Sequence, residues 1–134
     1  VSATHTLIIA AVCIFDDDGR LLTVRKKDTS MFMLPGGKAE RGETMAQTAA
    51  RELQEEVGIV VEPGDLMPLS RWRGAAANEP DTDIDVELFT AIATQRPVKA
   101  AEIGELVWIH PAEVGARTDI APLLTEHVIP NIRR

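Results

Sequence analysis

Three glutamates crowd one turn of a predicted helix in the stretch Gly37–Ile59, GKAERGETMAQTAARELQEEVGI, and the rest of the chain must be built around it. Thr44 followed by Gln47 makes a capping box, and Gly58 suits the left-handed position after Val57, so the helix lies between them. Ala46, Ala49, Ala50, Leu53 and Val57 recur at helical spacing and form a stripe that must be buried. Its small residues let the helix lie close on a sheet. At ~3.6 residues per turn, Glu52 and Glu56 are one turn apart with Glu55 beside them, centred ~100–130° from that stripe. One face packs and the adjacent flank presents acid. Like charges at this spacing cost a few tenths of a kcal/mol per pair, a repulsion that a bound dication converts into ligation. Oxygen-only ligands select a hard ion such as Mg²⁺ or Mn²⁺.

Upstream, Thr6–Phe15 (TLIIAAVCIF) is a near-continuous apolar run that reads as a buried strand. Asp18-Gly19 signals a hairpin, with Leu21–Arg25 as the return strand. The run Asp16-Asp17-Asp18 lacks the alternation of an EF-hand and is read as part of the turn. Met31–Leu34 is a short apolar strand leading into a Pro35-Gly36-Gly37 turn. Downstream, strands are predicted over Leu66–Trp72, Ile84–Thr94 and Leu106–Ile109, with a polar loop over Gly74–Thr82. A last helix covers Ile120–Ile129, with Pro122 in its first turn and Pro130 ending it. Strands, helix, strands and a terminal helix define an α/β fold in which a mixed β-sheet is flanked by helices.

A chain of 134 residues without a repeat or a linker reads as one domain spanning 1–134. Its 14 basic and 21 acidic residues give a net charge of −7, which argues against binding to duplex nucleic acid or to a membrane surface, since both favour a basic face. A small polyanion remains compatible if metal ions neutralise the site locally. No segment approaches the ~18 apolar residues of a membrane span. The opening VSATHTLIIAAVCIF has no basic n-region, so it is not read as a signal peptide, and cytoplasm is the expected location. The lone cysteine, Cys13, falls in the apolar strand and reads as a buried structural thiol. The scattered His5, His110 and His127 suggest no zinc site.

The glutamate spacing is specific. Gly37, Glu43, Arg51-Glu52, aliphatic Leu53, Glu55-Glu56, Gly58 and aliphatic Ile59 match every fixed position of the Nudix box, which covers 23 of the 134 residues. The chain therefore resembles the Nudix hydrolase superfamily, in its small single-domain MutT-like form. Leu34-Pro35-Gly36-Gly37 and the Glu105–Trp108 segment also look like the family. The resemblance implies a Nudix-type α/β/α sandwich in which Glu52, Glu55 and Glu56 bind Mg²⁺, with Mn²⁺ as a substitute. Arg51 would bridge Glu43 and Glu55 to hold the loop on the helix, and Gly36 and Gly37 would permit positive φ and close backbone approach.

The reaction so implied is hydrolysis of a nucleoside diphosphate linked to a group X, by water attacking phosphorus. Catalysis would fall to Glu55, Glu56 and Glu102, the general base being either Glu56 or a glutamate of a later loop, with Glu102 preferred to Glu105. Substrate contacts are expected from Gly36, Arg25, Lys27 and Asn78, and base recognition could draw on Trp72, Trp108, Phe32 or Phe89. Dinucleoside polyphosphate hydrolases carry a tyrosine beyond the box, and this chain has none. The marks of ADP-ribose, coenzyme A and NADH pyrophosphatases are incomplete or absent. That leaves an ordinary or oxidised nucleoside triphosphate, cut to the monophosphate and pyrophosphate. The alternatives are a pyrophosphatase for ADP-ribose or another nucleotide-sugar, and a non-catalytic nucleotide sensor. An isoprenoid diphosphate isomerase would need a catalytic cysteine nearer the box than Cys13. Relatives are often homodimers, which makes a homodimer an expectation here.

Overall fold

A computed structural model describes residues 5–92 and 95–132. Strand β1 (His5–Ile14) is the axis of a four-stranded mixed sheet with order β3-β1-β5-β4. It pairs parallel to β5 (Thr82–Ala91) along its full length and antiparallel to the short β3 (Gly36–Lys38). Strand β4 (Met67–Ala75) closes the order antiparallel to β5. Strands β2 (Leu21–Lys26) and β6 (Ile103–Ile109) form a separate antiparallel pair.

Strand β1 is apolar from Leu7 onward, and its second half, Ala10 to Ile14, is covered on both faces. Ala10, Val12 and Ile14 meet helix α1 (Met45–Val57), whose Ala49, Ala50, Leu53 and Val57 also pack on Leu22 and Val24 of the second sheet. Ala11 and Cys13 face the opposite layer, where Leu123, Leu124, Val128 and Ile129 of the C-terminal helical segment seal the core. Burial pushes the Cys13 thiol up to about 12, so it is an inert core group. The result is the mixed sheet between helices that the element pattern predicts. Helix α1 is delimited by the predicted devices: Thr44 and Gln47 exchange both capping bonds, and Gly58 adopts φ 69°.

Several local features differ from the sequence reading. The hairpin opens after a single bridge, Phe15–Leu21, because β2 leaves for the second sheet once Asp16 and Gly19 have turned the chain. Met31–Leu34 is not a strand. Phe32 and Met33 form single bridges to Ile120 and Val24, threading the segment between β2 and the C-terminal region. Gly36 and Gly37 belong to β3 rather than to a turn, and neither has positive φ. Strand β4 extends to Ala75, two residues into the predicted loop, while β6 begins at Ile103, three residues before the predicted start. The predicted strand over Ile84–Thr94 starts two residues earlier, and its last two positions lie outside the described residues. The final helix does not stop at Pro130. A π-helical segment, Leu123–Val128, continues into α2 (Ile129–Ile132), and α2 includes that proline. No described helix is long and apolar enough to cross a membrane.

Candidate active site

Helix α1 and strand β3 meet edge to face, and glycine makes the meeting possible. A Cβ on Gly37 would lie 2.5 Å from Cδ of Glu52, and one on Gly36 would collide with the Ala10 carbonyl oxygen. Close approach, not positive φ, is what these positions require. The Gly36 N–H is thereby free to donate to Glu56 Oε1 at 3.1 Å.

Arg51 organises the loop from Lys38 to Glu43. Its Nε and Nη2 grip the two Glu43 oxygens at 2.7 and 3.0 Å, and Nη2 also donates to the Lys38 carbonyl at 3.1 Å. The two-pronged bond to Arg51, helped by the Glu40 N–H, holds the Glu43 carboxyl down at about 2. The remaining Nη1 lies 2.8 Å from both Glu52 Oε2 and Glu55 Oε1, a cation set between two box carboxylates. Burial is the main force raising the Glu52 pKa, and repulsion from Glu55 adds to it.

Glu56 departs from the acid flank drawn from the helical projection. It is 1% exposed, because α1 is covered from two directions and this side chain points into the second contact. Its neighbours are the Gly36 N–H and Lys26 Nζ, 3.7 Å from Oε2. Burial pushes the carboxyl up to about 7; Gly36 and Lys26 oppose that rise, and repulsion from Glu52 and Glu102 reinforces it.

Glu52, Arg51, Lys26, Gly36 and Gly37 open onto a cavity of about 470 Å³, the size of a small-molecule pocket. Its apolar lining comes from Leu7 and Ile9 of β1, Ile84 and Val86 of β5, Met33 and Leu123. Lys38, Thr29, Glu40 and Asn78 also line it. Of the residues singled out from sequence, Asn78 thus lines the cavity, while Arg25 and Lys27 do not. Arg25 donates to Glu105 and to the Thr29 carbonyl at 2.8 Å, and its guanidinium stacks against Phe32. Lys27 is exposed, its backbone N–H bonded to the Glu102 carbonyl at 2.9 Å. Glu102 is exposed and acts on Glu56 through space; Glu105 holds Arg25. None of the four candidate aromatics lines the cavity: Phe32 and Phe89 are buried in the core, Trp72 and Trp108 pack against it.

The basic run Arg25-Lys26-Lys27 reads from sequence as either a solvated strand end or a phosphate contact, and Lys26 is the member that reaches the cavity, whereas the aliphatic lining was missed. Strand alternation separates Lys26 from its two neighbours: it follows Leu22 and Val24 at steps of two, on the face turned toward α1. The lining had no such signal, since it depends on the long-range parallel pairing of β1 with β5.

The residues fit a hard dication by chemistry, with carboxylate donors only, two of them shifted up by burial. Among the described residues no three such side chains converge ready-made on a point, because Arg51 Nη1 stands between Glu52 and Glu55. Glu55 is half-exposed and free to rotate away from that contact.

The family profile of the NUDIX domain matches residues 5–130, and the chain belongs to that family. A "MutT-like protein" of Streptomyces ambofaciens is 44% identical over 62 residues, 46% of this chain and 40% of that relative. "Nucleoside diphosphate-linked moiety X motif 6" of Xenopus laevis is 36% identical over 69 residues, 50% of this chain and 32% of the relative. The matched stretch therefore spans well under half the length of these relatives. The crystal structure of a MutT protein from Methanosarcina mazei Go1 shares the fold, with TM-score 0.73 at 19% identity, covering 94% of this chain and 91% of that one. Nudix proteins generally use divalent metals.

Proposed function

We propose that this protein is a Mg²⁺-dependent hydrolase of nucleoside diphosphates linked to a group X, acting most readily on nucleoside triphosphates to release the monophosphate and pyrophosphate. The observation that carries this reading is one cavity lined both by an aliphatic surface able to take a base and by the Glu52–Arg51–Lys26 end of the carboxylate helix. Glu52, Glu55 and Glu56 would hold the metal. A bound dication supplies charge neutralisation at the diphosphate and a more acidic water.

The chain's own groups do the rest. Lys26 and Lys38 bring positive charge to a cavity in an otherwise acidic protein, and they oppose the repulsion a polyphosphate would meet. Arg51 keeps the Lys38–Glu43 loop closed on α1, so Lys38 stays at the rim. Glu56 is the proton acceptor the geometry favours over Glu102. It is fixed by the Gly36 N–H and buried beside Glu52 and Lys26, so its carboxylate is held in one place at the metal end of the cavity. Glu102 is exposed and has no such fixed partner for its carboxylate among the described hydrogen bonds.

A panel of nucleoside triphosphates, dinucleotides, ADP-ribose and sugar nucleotides, with Mg²⁺ or Mn²⁺ and detection of phosphate and pyrophosphate, tests the reading. Triphosphates should give pyrophosphate, and Glu56→Gln should not. Turnover of ADP-ribose or sugar nucleotides alone would overturn the triphosphate assignment. Near-normal activity in Glu56→Gln would overturn the site.

A further inference from the structure

Away from the charged end formed by Lys26, Lys38, Arg51 and Glu52, the cavity has few polar side chains, and one of them is locked in orientation. Asn78 reaches the lining from the loop between β4 and β5. Its Oδ1 accepts the Met31 backbone N–H at 3.2 Å, a bond that only the oxygen end of the amide can make. Nδ2 is therefore the end left over. Among the described residues its partner is the Met33 thioether at 3.8 Å, a weak acceptor that also lines the cavity. Two N–H groups on that nitrogen leave at least one for a ligand.

Thr29 and Glu79, the polar lining side chains beside Asn78, do not compete for this role, while the charged Lys26, Lys38, Arg51 and Glu52 belong to the phosphate and metal end. Thr29 already donates its hydroxyl proton to the Lys26 carbonyl at 2.7 Å. Glu79 lines the same cavity but is exposed, so exchanging water for a base amino group gains it little. Stacking does not discriminate either, since no described aromatic side chain lines the cavity.

Building on the nucleotide reading, we propose that Asn78 selects keto bases, donating Nδ2–H to the carbonyl oxygen of guanine, uracil or thymine. Adenine and cytosine present an amino donor where those bases present oxygen. Donor would then face donor, and both groups would lose their hydrogen bond to water without a replacement.

The test is kcat/KM for GTP, ATP, UTP and CTP with Mg²⁺, in the wild type and in Asn78→Asp. Aspartate still accepts the Met31 N–H but has no N–H to give. Its charge weakens all four nucleotides alike, so the ratios are the readout. GTP should exceed ATP, and UTP should exceed CTP, by about tenfold or more in the wild type. Both ratios should fall to one or below in Asn78→Asp. Equal wild-type rates, a preference for the amino bases, or ratios unmoved by the substitution would overturn the proposal. If no triphosphate is hydrolysed, the functional reading fails instead. The base preference is then read from NMR titrations with GMP, AMP, UMP and CMP without metal, where equal affinities or no binding would overturn it.

Discussion

Replacing Glu56 by glutamine should make the metal-free protein more stable at pH 8 while removing its activity. The folded protein holds this carboxyl at about 7, against an ordinary 4.5, because it is 1% exposed. The folded state therefore binds the proton more tightly than the unfolded chain. Stability is full below about 4.5, falls as pH rises, and has lost the whole contribution once pH passes about 7. At about 1.4 kcal/mol per pH unit that loss is roughly 3 kcal/mol. Glutamine has the same shape, stays neutral, and keeps an oxygen to accept the Gly36 N–H. It forgoes only the attraction of Lys26, 3.7 Å away. In EDTA, urea unfolding should show Glu56→Gln more stable than wild type by roughly 2–3 kcal/mol at pH 8, with the gap closing toward pH 5. Mg²⁺ should narrow the pH 8 gap by stabilising the wild type. A variant less stable than wild type at pH 8, or a gap identical at pH 5 and pH 8, would show that burial of the ionised Glu56 does not cost the fold stability.

Other perturbations probe the frame around that carboxylate. Gly37→Ala places a methyl 2.5 Å from the Glu52 carboxyl carbon, so turnover should fall roughly tenfold to a hundredfold with little change in the urea midpoint. Arg51→Lys cannot reproduce the fork on Glu43; NMR titration should show the Glu43 pKa rising from about 2 toward the ordinary range. Thr44→Ala removes the α1 cap and should cost about 1 kcal/mol in urea unfolding, leaving base preference untouched. Gly58→Ala, at φ 69°, should cost a similar amount, about 1 kcal/mol, by the same assay.

The sequence was most legible where local chemistry decides structure. The Thr44–Gln47 box and Gly58 bound α1 because caps and left-handed turns are written in a few adjacent residues. The both-sides burial of Ala10 to Ile14 in β1 followed from the near-continuous apolar run. Legibility failed where distant segments meet. Glu56 looked like one more acid on an exposed flank because a helical projection knows one buried face, whereas α1 is covered from two directions. Gly36 and Gly37 looked like a turn because the need that selects them lies across space, in Ala10 and Glu52. Met31–Leu34 looked like a strand because a threaded segment with Phe32 and Leu34 buried carries the same apolar signature. Pro130 looked like a terminator, but at the end of a π-helical segment the helix continues beyond it to Ile132.

On the reading proposed above, the α1 carboxylates form a divalent-metal site beside the cavity. Titration of the protein with Mn²⁺, followed by loss of the free-ion electron paramagnetic resonance signal, tests it without depending on any substrate. The wild type should take up Mn²⁺, competed by Mg²⁺, and Glu52→Gln and Glu56→Gln should each weaken binding by about tenfold or more. Mn²⁺ binding of equal strength in all three proteins, or none in the wild type, would rule out a metal site on these carboxylates.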